Sequence, residues 1–135
     1  MGIDPLEFYN ILAKSDISFF TGVPDSLLKQ FGLCVDDHVP EDRHIIAANE
    51  GNAIALALGR YLGTGKPALV YMQNSGFSNA INPLVSLADA EVYGIPMLLM
   101  VVGEVSPVLK MRRSISNKAG LRHVCSILWR YPIIS

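Results

Sequence analysis

Two segments, residues 67–73 and 97–102, are apolar almost without interruption, and polar or glycine residues follow each of them. A strand with one wet face alternates apolar and polar residues; a run this continuous must be buried on both sides. Both lie downstream of helical patterns, and an alternation of helices with short buried strands gives a parallel sheet covered by helices on its two faces. The fold expected is therefore α/β, a doubly wound parallel sheet. In such sheets ligands sit beyond the carboxyl ends of the strands.

The remaining elements fit that frame. Residues 5–14 form a helix with Asp4 as N-cap, Pro5 at its first position and Leu6, Tyr9, Leu12 and Ala13 at helical spacing. Residues 17–21 form a short strand, broken by Gly22-Val23-Pro24. Asp25 or Ser26 then caps a helix through Leu27, Leu28 and Phe31, and the polar stretch 32–43 reads as a loop. Residues 44–48 form a strand. The helix from 49 to about 62, rich in Ala and Leu, is stopped by Gly63 and Gly65. A last helix spans residues 78–93, with Pro83 in its first turns.

Half of the 135 residues are hydrophobic and 17% are charged, enough for one packed domain and too apolar for disorder. No apolar run approaches the roughly 18–20 residues of a membrane helix. The start MGIDPLEFYN carries acids where a secretory signal carries bases, so a soluble cytoplasmic protein is expected. Cys34 and Cys125 are far apart and are expected to be lone buried thiols, and His38, His44 and His123 form no metal spacing. No metal ligand is assigned. The acidic balance of the α/β part argues against nucleic acid. There is no GxGxxG, no GxxxxGK[ST] and no GxSxG.

Three strand ends could carry chemistry. Glu50 follows a strand and opens an apolar helix. The helix dipole favours an acid there in any case, yet Asn49, Gly51 and Asn52 leave the turn open to close approach, as a proton-handling carboxylate needs. Gly22, Val23, Pro24, Asp25 and Ser26 form a turn whose following amides can bind an anion, or simply a capped turn. The segment Gln73-Asn74-Ser75-Gly76-Phe77-Ser78-Asn79 offers amides and a glycine suited to a polar heterocycle, or a loop and its cap.

The stretches TGVPDSLLK (21–29) and AANEGNAIALALGRYLGTGKPALVYMQNSGFSNAINPLVSLADAEVYGIPMLLMV (47–101) resemble phosphonopyruvate decarboxylase and are also similar to the alpha chain of sulfopyruvate decarboxylase. The resemblance covers nearly all of residues 1–102. It implies a thiamine diphosphate enzyme, with this chain as the pyrimidine-binding domain. The family's cofactor-activating glutamate matches Glu50, which hydrogen-bonds the aminopyrimidine ring and so promotes removal of the thiazolium C2 proton. Gln73, Asn74, Gly76 and Phe77 would lie near that ring. The family's GVP turn matches Gly22, Val23 and Pro24, and Asp25 falls where related decarboxylases carry an active-site acid. The implied reaction is decarboxylation of a 2-keto acid, phosphonopyruvate giving phosphonoacetaldehyde and CO2, with sulfopyruvate as the alternative.

Two departures follow. The GDG motif of the diphosphate domain, which holds Mg2+ and the diphosphate, is absent, so that domain is expected on another chain, in a dimer or higher oligomer, as in sulfopyruvate decarboxylase. The second departure is residues 103–135, an atypical basic tail. Residues 1–102 carry 11 acids and 5 bases (−6) and residues 103–135 carry 1 acid and 6 bases (+5), which sum to the −1 of the whole chain. Where the family continues with something like GWRGEPGVKDE, this chain reads GEVSPVLKM. One coding of the family's stretch, read a base out of frame, spells residues 103–111. A frameshifted, C-terminally truncated and inactive fragment is thus one expectation, in which Arg112, Arg113 and Trp129 carry no functional message and an apolar sheet edge is left exposed. A divergent helix around residues 121–130 is the other.

Overall fold

The computed structural model describes residues 4–103 and the backbone of 124–128. Helices α1 (Pro5–Lys14), α2 (Lys29–His38), α3 (Glu50–Thr64) and α4 (Phe77–Pro83) alternate with strands β1 (Phe20–Gly22), β2 (His44–Ile46), β3 (Leu69–Gln73) and β4 (Leu98–Val102), and β5 (Val124–Leu128) follows. The sheet order is β2-β1-β3-β4-β5. The first four strands are parallel, and β5 runs antiparallel beside β4.

The apolar strands divide their side chains between two cores, as a doubly wound sheet requires. Ala68, Val70 and Met72 of the β3 segment, with Leu99 and Val101 of β4, pack against Ala53, Ile54, Ala57 and Leu58 of α3 and Phe77 and Ala80 of α4. Leu69, Tyr71, Met100 and Val102 point the other way, onto Leu12 of α1 and Phe31 and Val35 of α2. The period of two along each strand thus feeds two helical layers instead of one core and water.

Local chemistry sets the ends. Asp4 accepts from the amides of Leu6 and Glu7 at 2.9 Å, and Asn49 Oδ1 accepts from Asn52 N at 2.9 Å, which makes Asn49 the cap and Glu50 the first residue of α3. Helix α3 runs through Gly63 and ends at Gly65, whose φ of 70° suits a residue without Cβ.

Several expectations need correction. The polar stretch 32–43 is not a loop: α2 occupies Lys29–His38, because Phe31 and Val35, one turn apart, bury a stripe that Gly32 and the paired acids Asp36 and Asp37 obscure in the sequence. The helix expected over 78–93 is short. Pro83 has no N–H for the carbonyl of Asn79, and after it the chain widens into a π-type turn over Leu84–Ala88 before leaving the helix. Cys34 is half-buried, on the flank of the Phe31–Val35 stripe, and is a free thiol. Backbone at 124–128 is strand where a helix was the alternative, and its pairing covers the edge of β4 that truncation was expected to expose. His123, Arg112, Arg113 and Trp129 lie outside the described residues.

Among the described residues no helix is long and apolar enough to cross a membrane.

Candidate functional site

The parallel register brings the three strand ends to one edge of the sheet. Gly22 stands beside Ile46 on one side and Tyr71 on the other. The Gly22 carbonyl accepts from Ala47 N at 2.9 Å, and Val23 N donates to the Tyr71 carbonyl at 3.2 Å. The turns that follow β1, β2 and β3 therefore leave the sheet side by side.

Glu50 is the buried acid of this edge, 8% exposed. As the first residue of α3 it sits at the positive end of the helix dipole. Its Oε2 accepts a hydrogen bond from Asn79 Nδ2 at 2.8 Å. Its other oxygen lies over Gly76, so close that a Cβ there would stand 1.8 Å from Oε1. A glycine at 76 is therefore a condition for this carboxylate's position. Gly51 plays the converse part, since a Cβ there would meet the carbonyl oxygen of Asn79 at 2.9 Å. The sequences Glu50-Gly51 and Gly76 to Asn79 interlock, each glycine making room for a polar group of the other segment.

The other expected residues are placed as follows. Gln73 is exposed and its Oε1 accepts from Ser75 Oγ at 2.6 Å; Asn74 is half-buried and Gly76 buried. Phe77 is 7% exposed and belongs to the core between α3 and β3. Asp25 Oδ1 accepts from Leu27 N at 2.9 Å and so caps the 3-10 turn Ser26–Leu28 that leads into α2. Gly22 is buried, Val23 half-buried, and Pro24 and Ser26 exposed.

A cavity of about 180 Å3 is lined by Pro24, Asp25, Lys29, Asp36, His44 and Tyr71 among others, and a shallower one of about 410 Å3 by Ile46, Ala48, Asn52 and Ala55 among others. Neither contains Glu50, whose carboxylate faces the α3–α4 side.

A polar chain on the opposite face has no local signature in the sequence. His44 Nδ1 is 2.5 Å from Asp36 Oδ1, and His44 Nε2 is 2.8 Å from the Tyr71 hydroxyl. In the tautomer with the proton on Nδ1, the Asp36 carboxylate accepts from Nδ1 and Nε2 accepts from the Tyr71 hydroxyl. The Tyr71 ring reaches His44 by lying over Gly22, where a Cβ would stand 2.5 Å from Cδ2. Three residues scattered over α2, β2 and β3 offer no spacing signal. The glycine that makes room for the ring was legible only as part of a turn.

Burial, with a smaller contribution from the Asp36 charge, pushes the Tyr71 hydroxyl above its ordinary value of 10.0. An unfolded chain gives up that proton near pH 10 while the folded one retains it. Tyr71 therefore contributes its full stability below pH 10, and stability falls as the pH rises past it. Tyr71→Phe is expected to cost about 1–3 kcal/mol at neutral pH, by leaving His44 Nε2 without its donor, and to flatten that alkaline decline. Urea unfolding of both forms at pH 7 and pH 10.5 checks this; parallel pH dependences would reject it.

With the geometry in place, the likeness to known proteins is informative. The family model of the thiamine pyrophosphate enzyme, N-terminal TPP binding domain, matches residues 7–122. The chain belongs to this family. Sulfopyruvate decarboxylase subunit alpha of Methanocaldococcus jannaschii is 37% identical over 99 residues, covering 71% of this chain and 54% of that protein. The protein of the same name from Methanococcus maripaludis is 38% identical over 93 residues, covering 69% and 53%. The chain thus spans about half the length of the curated relatives it matches. A crystal structure assigned as a thiamin diphosphate-dependent enzyme, from Mycobacterium smegmatis, superposes with a TM-score of 0.61 at 27% identity, over 81% of this chain and 20% of that one. The fold and the family of the sequence reading hold.

The site's residues suit the heterocyclic end of thiamine diphosphate. A buried carboxylate with one oxygen fixed by an amide, beside a glycine backbone, offers an acceptor to a ring that carries N–H groups. Among the described residues no group of three or more His, Cys, Asp or Glu is placed to hold an ion.

Proposed function

We propose that this chain is the pyrimidine-binding half of a cytoplasmic 2-keto acid decarboxylase, acting on a substrate with a strongly anionic head, phosphonopyruvate or sulfopyruvate. A second chain would supply the diphosphate domain and Mg2+, making the enzyme a dimer or a higher oligomer. The observation that carries this reading is the buried Glu50 carboxylate, held between Asn79 and Gly76 at the carboxyl edge of a parallel sheet.

Thiamine diphosphate supplies the nucleophilic carbon and the electron sink for loss of CO2. The protein's own contribution is binding, orientation and proton handling. Glu50 would hydrogen-bond a ring nitrogen and exchange a proton with it; Gln73, Asn74 and Gly76 would border the ring, and Phe77 fixes the turn from the core beneath. Gly22, Val23, Pro24, Asp25 and Ser26 stand on the neighbouring strand end, where the free amides after the turn suit a substrate anion. The names of the curated relatives favour sulfopyruvate; the stretch VYMQNSGFSNAINPL favours this pair of decarboxylases over other thiamine diphosphate enzymes without choosing between the two acids.

The test is reconstitution. The chain, mixed with a GDG-containing chain encoded beside it, is assayed for CO2 release from each keto acid with thiamine diphosphate and Mg2+. The expected result is turnover by the pair, and by neither chain alone. Turnover by the isolated chain would remove the need for a partner, and no release from either acid by a stable complex would reject the decarboxylase reading.

A further inference from the structure

We propose that Asn79 is a positioning residue for Glu50, fixing which carboxylate oxygen faces the cofactor ring; this rests on the thiamine diphosphate reading above. The two oxygens of Glu50 are held differently. Oε2 is engaged by Asn79 Nδ2 at 2.8 Å, and Oε1 lies against the backbone of Gly76. A carboxylate only accepts, so its partner must donate, and a side-chain amide donates without bringing a charge that would compete with a ligand. Rotation of the carboxyl group about its last bond exchanges the oxygens unless one of them is tied, and Asn79 provides that tie.

The helix is built to hold Asn79 in place. Pro83 brings no N–H to the Asn79 carbonyl, and that carbonyl packs against Gly51, which leaves no room for a side chain between the helices. Asn79 thus meets α3 at both ends, with its amide on Glu50 and its backbone at Gly51. Its side chain is otherwise exposed, and the contact between α3 and α4 rests on Ala53, Ala57, Phe77, Ala80 and Leu84. Losing the amide is therefore a loss of orientation, with little cost to the fold.

The experiment follows exchange of the C2 proton of thiamine diphosphate for deuterium by NMR in the reconstituted complex without substrate, alongside kcat and KM. Asn79→Ala is expected to slow exchange and kcat roughly ten- to a hundredfold, with KM for the keto acid little changed. Asn79→Asp, nearly identical in shape, is expected to lose more at neutral pH. It should recover toward acid pH, where the introduced carboxyl is protonated and can donate; Asn79→Ala should show no such recovery. A merely structural role would give neither the pH dependence nor the separation of kcat from KM. Exchange at the wild-type rate in Asn79→Ala, or a wild-type pH profile in Asn79→Asp, overturns the proposal while leaving the role of Glu50 intact. Equal exchange rates in the wild type and Glu50→Gln would instead overturn the role of Glu50 itself, and this proposal with it.

Discussion

In the reconstituted enzyme, Glu50→Gln is expected to lower kcat by about a hundredfold or more, within the range that a positioned acid–base group supplies. The substitution is nearly isosteric. The amide oxygen can still accept from Asn79 Nδ2, and the side chain still fits over Gly76, so the interlock of α3 and α4 survives. What is lost is the charge and the ability to exchange a proton with a ring nitrogen. Loss of a favourable charge at the start of α3 adds a stability cost of about 0.5–1 kcal/mol, too small to account for a hundredfold effect through unfolding at room temperature. The check is a kcat measurement at saturating thiamine diphosphate together with a thermal melt. Full activity in Glu50→Gln would remove Glu50 from the mechanism, and a collapsed melting temperature would make the kinetic comparison void by showing that the acid holds the fold.

The contrast between what the sequence made visible and what it hid follows from the range of the forces involved. Strands β3 and β4 were legible because burial on both faces writes itself locally, as a run of apolar residues. Glu50 was legible for a related reason: a strand, a cap at Asn49 and an acid at the first helical position are consecutive in the chain. Helix α2 was hidden because only Phe31 and Val35 are buried in it, and a glycine and paired acids stand among them. The bond from Asn79 to Glu50 spans 29 residues, and the one from His44 to Tyr71 spans 27. Such pairs exist only once the sheet order β2-β1-β3 is known. The split of α4 lay in between. Pro83 was visible, but its effect depended on how far into the helix it fell, and element boundaries are the weakest part of any reading by pattern.

The second large effect expected is on stability, from Gly22→Ala. A Cβ at Gly22 would stand 2.1 Å from the Tyr71 carbonyl oxygen, and 2.5 and 2.7 Å from two carbons of its ring. The carbonyl belongs to β3 in the middle of the sheet, directly across from Gly22, and is already engaged by Val23 N at 3.2 Å. It cannot move aside without parting β1 from β3. The ring is held by its hydroxyl on His44 and by the edge of Phe31 at 6.4 Å between centroids, so it too has no free direction. Overpacking of a rigid interior costs about 3 kcal/mol or more, a large share of the 5–15 kcal/mol that holds a typical domain together. A fall in melting temperature of about 10 °C or more should follow. Gly76→Ala is the instructive control. There the nearest atoms are the carboxyl end of Glu50, a flexible side chain that can swing out of the way. The fold should survive with a smaller loss, about 1–2 kcal/mol, while the reconstituted enzyme loses activity because Glu50 no longer sits where Asn79 can tie it. Melting curves of the two variants, set beside their activities, separate a glycine that the sheet requires from one that the carboxylate requires; equal melting temperatures would show that the β1–β3 contact yields more easily than its distances imply.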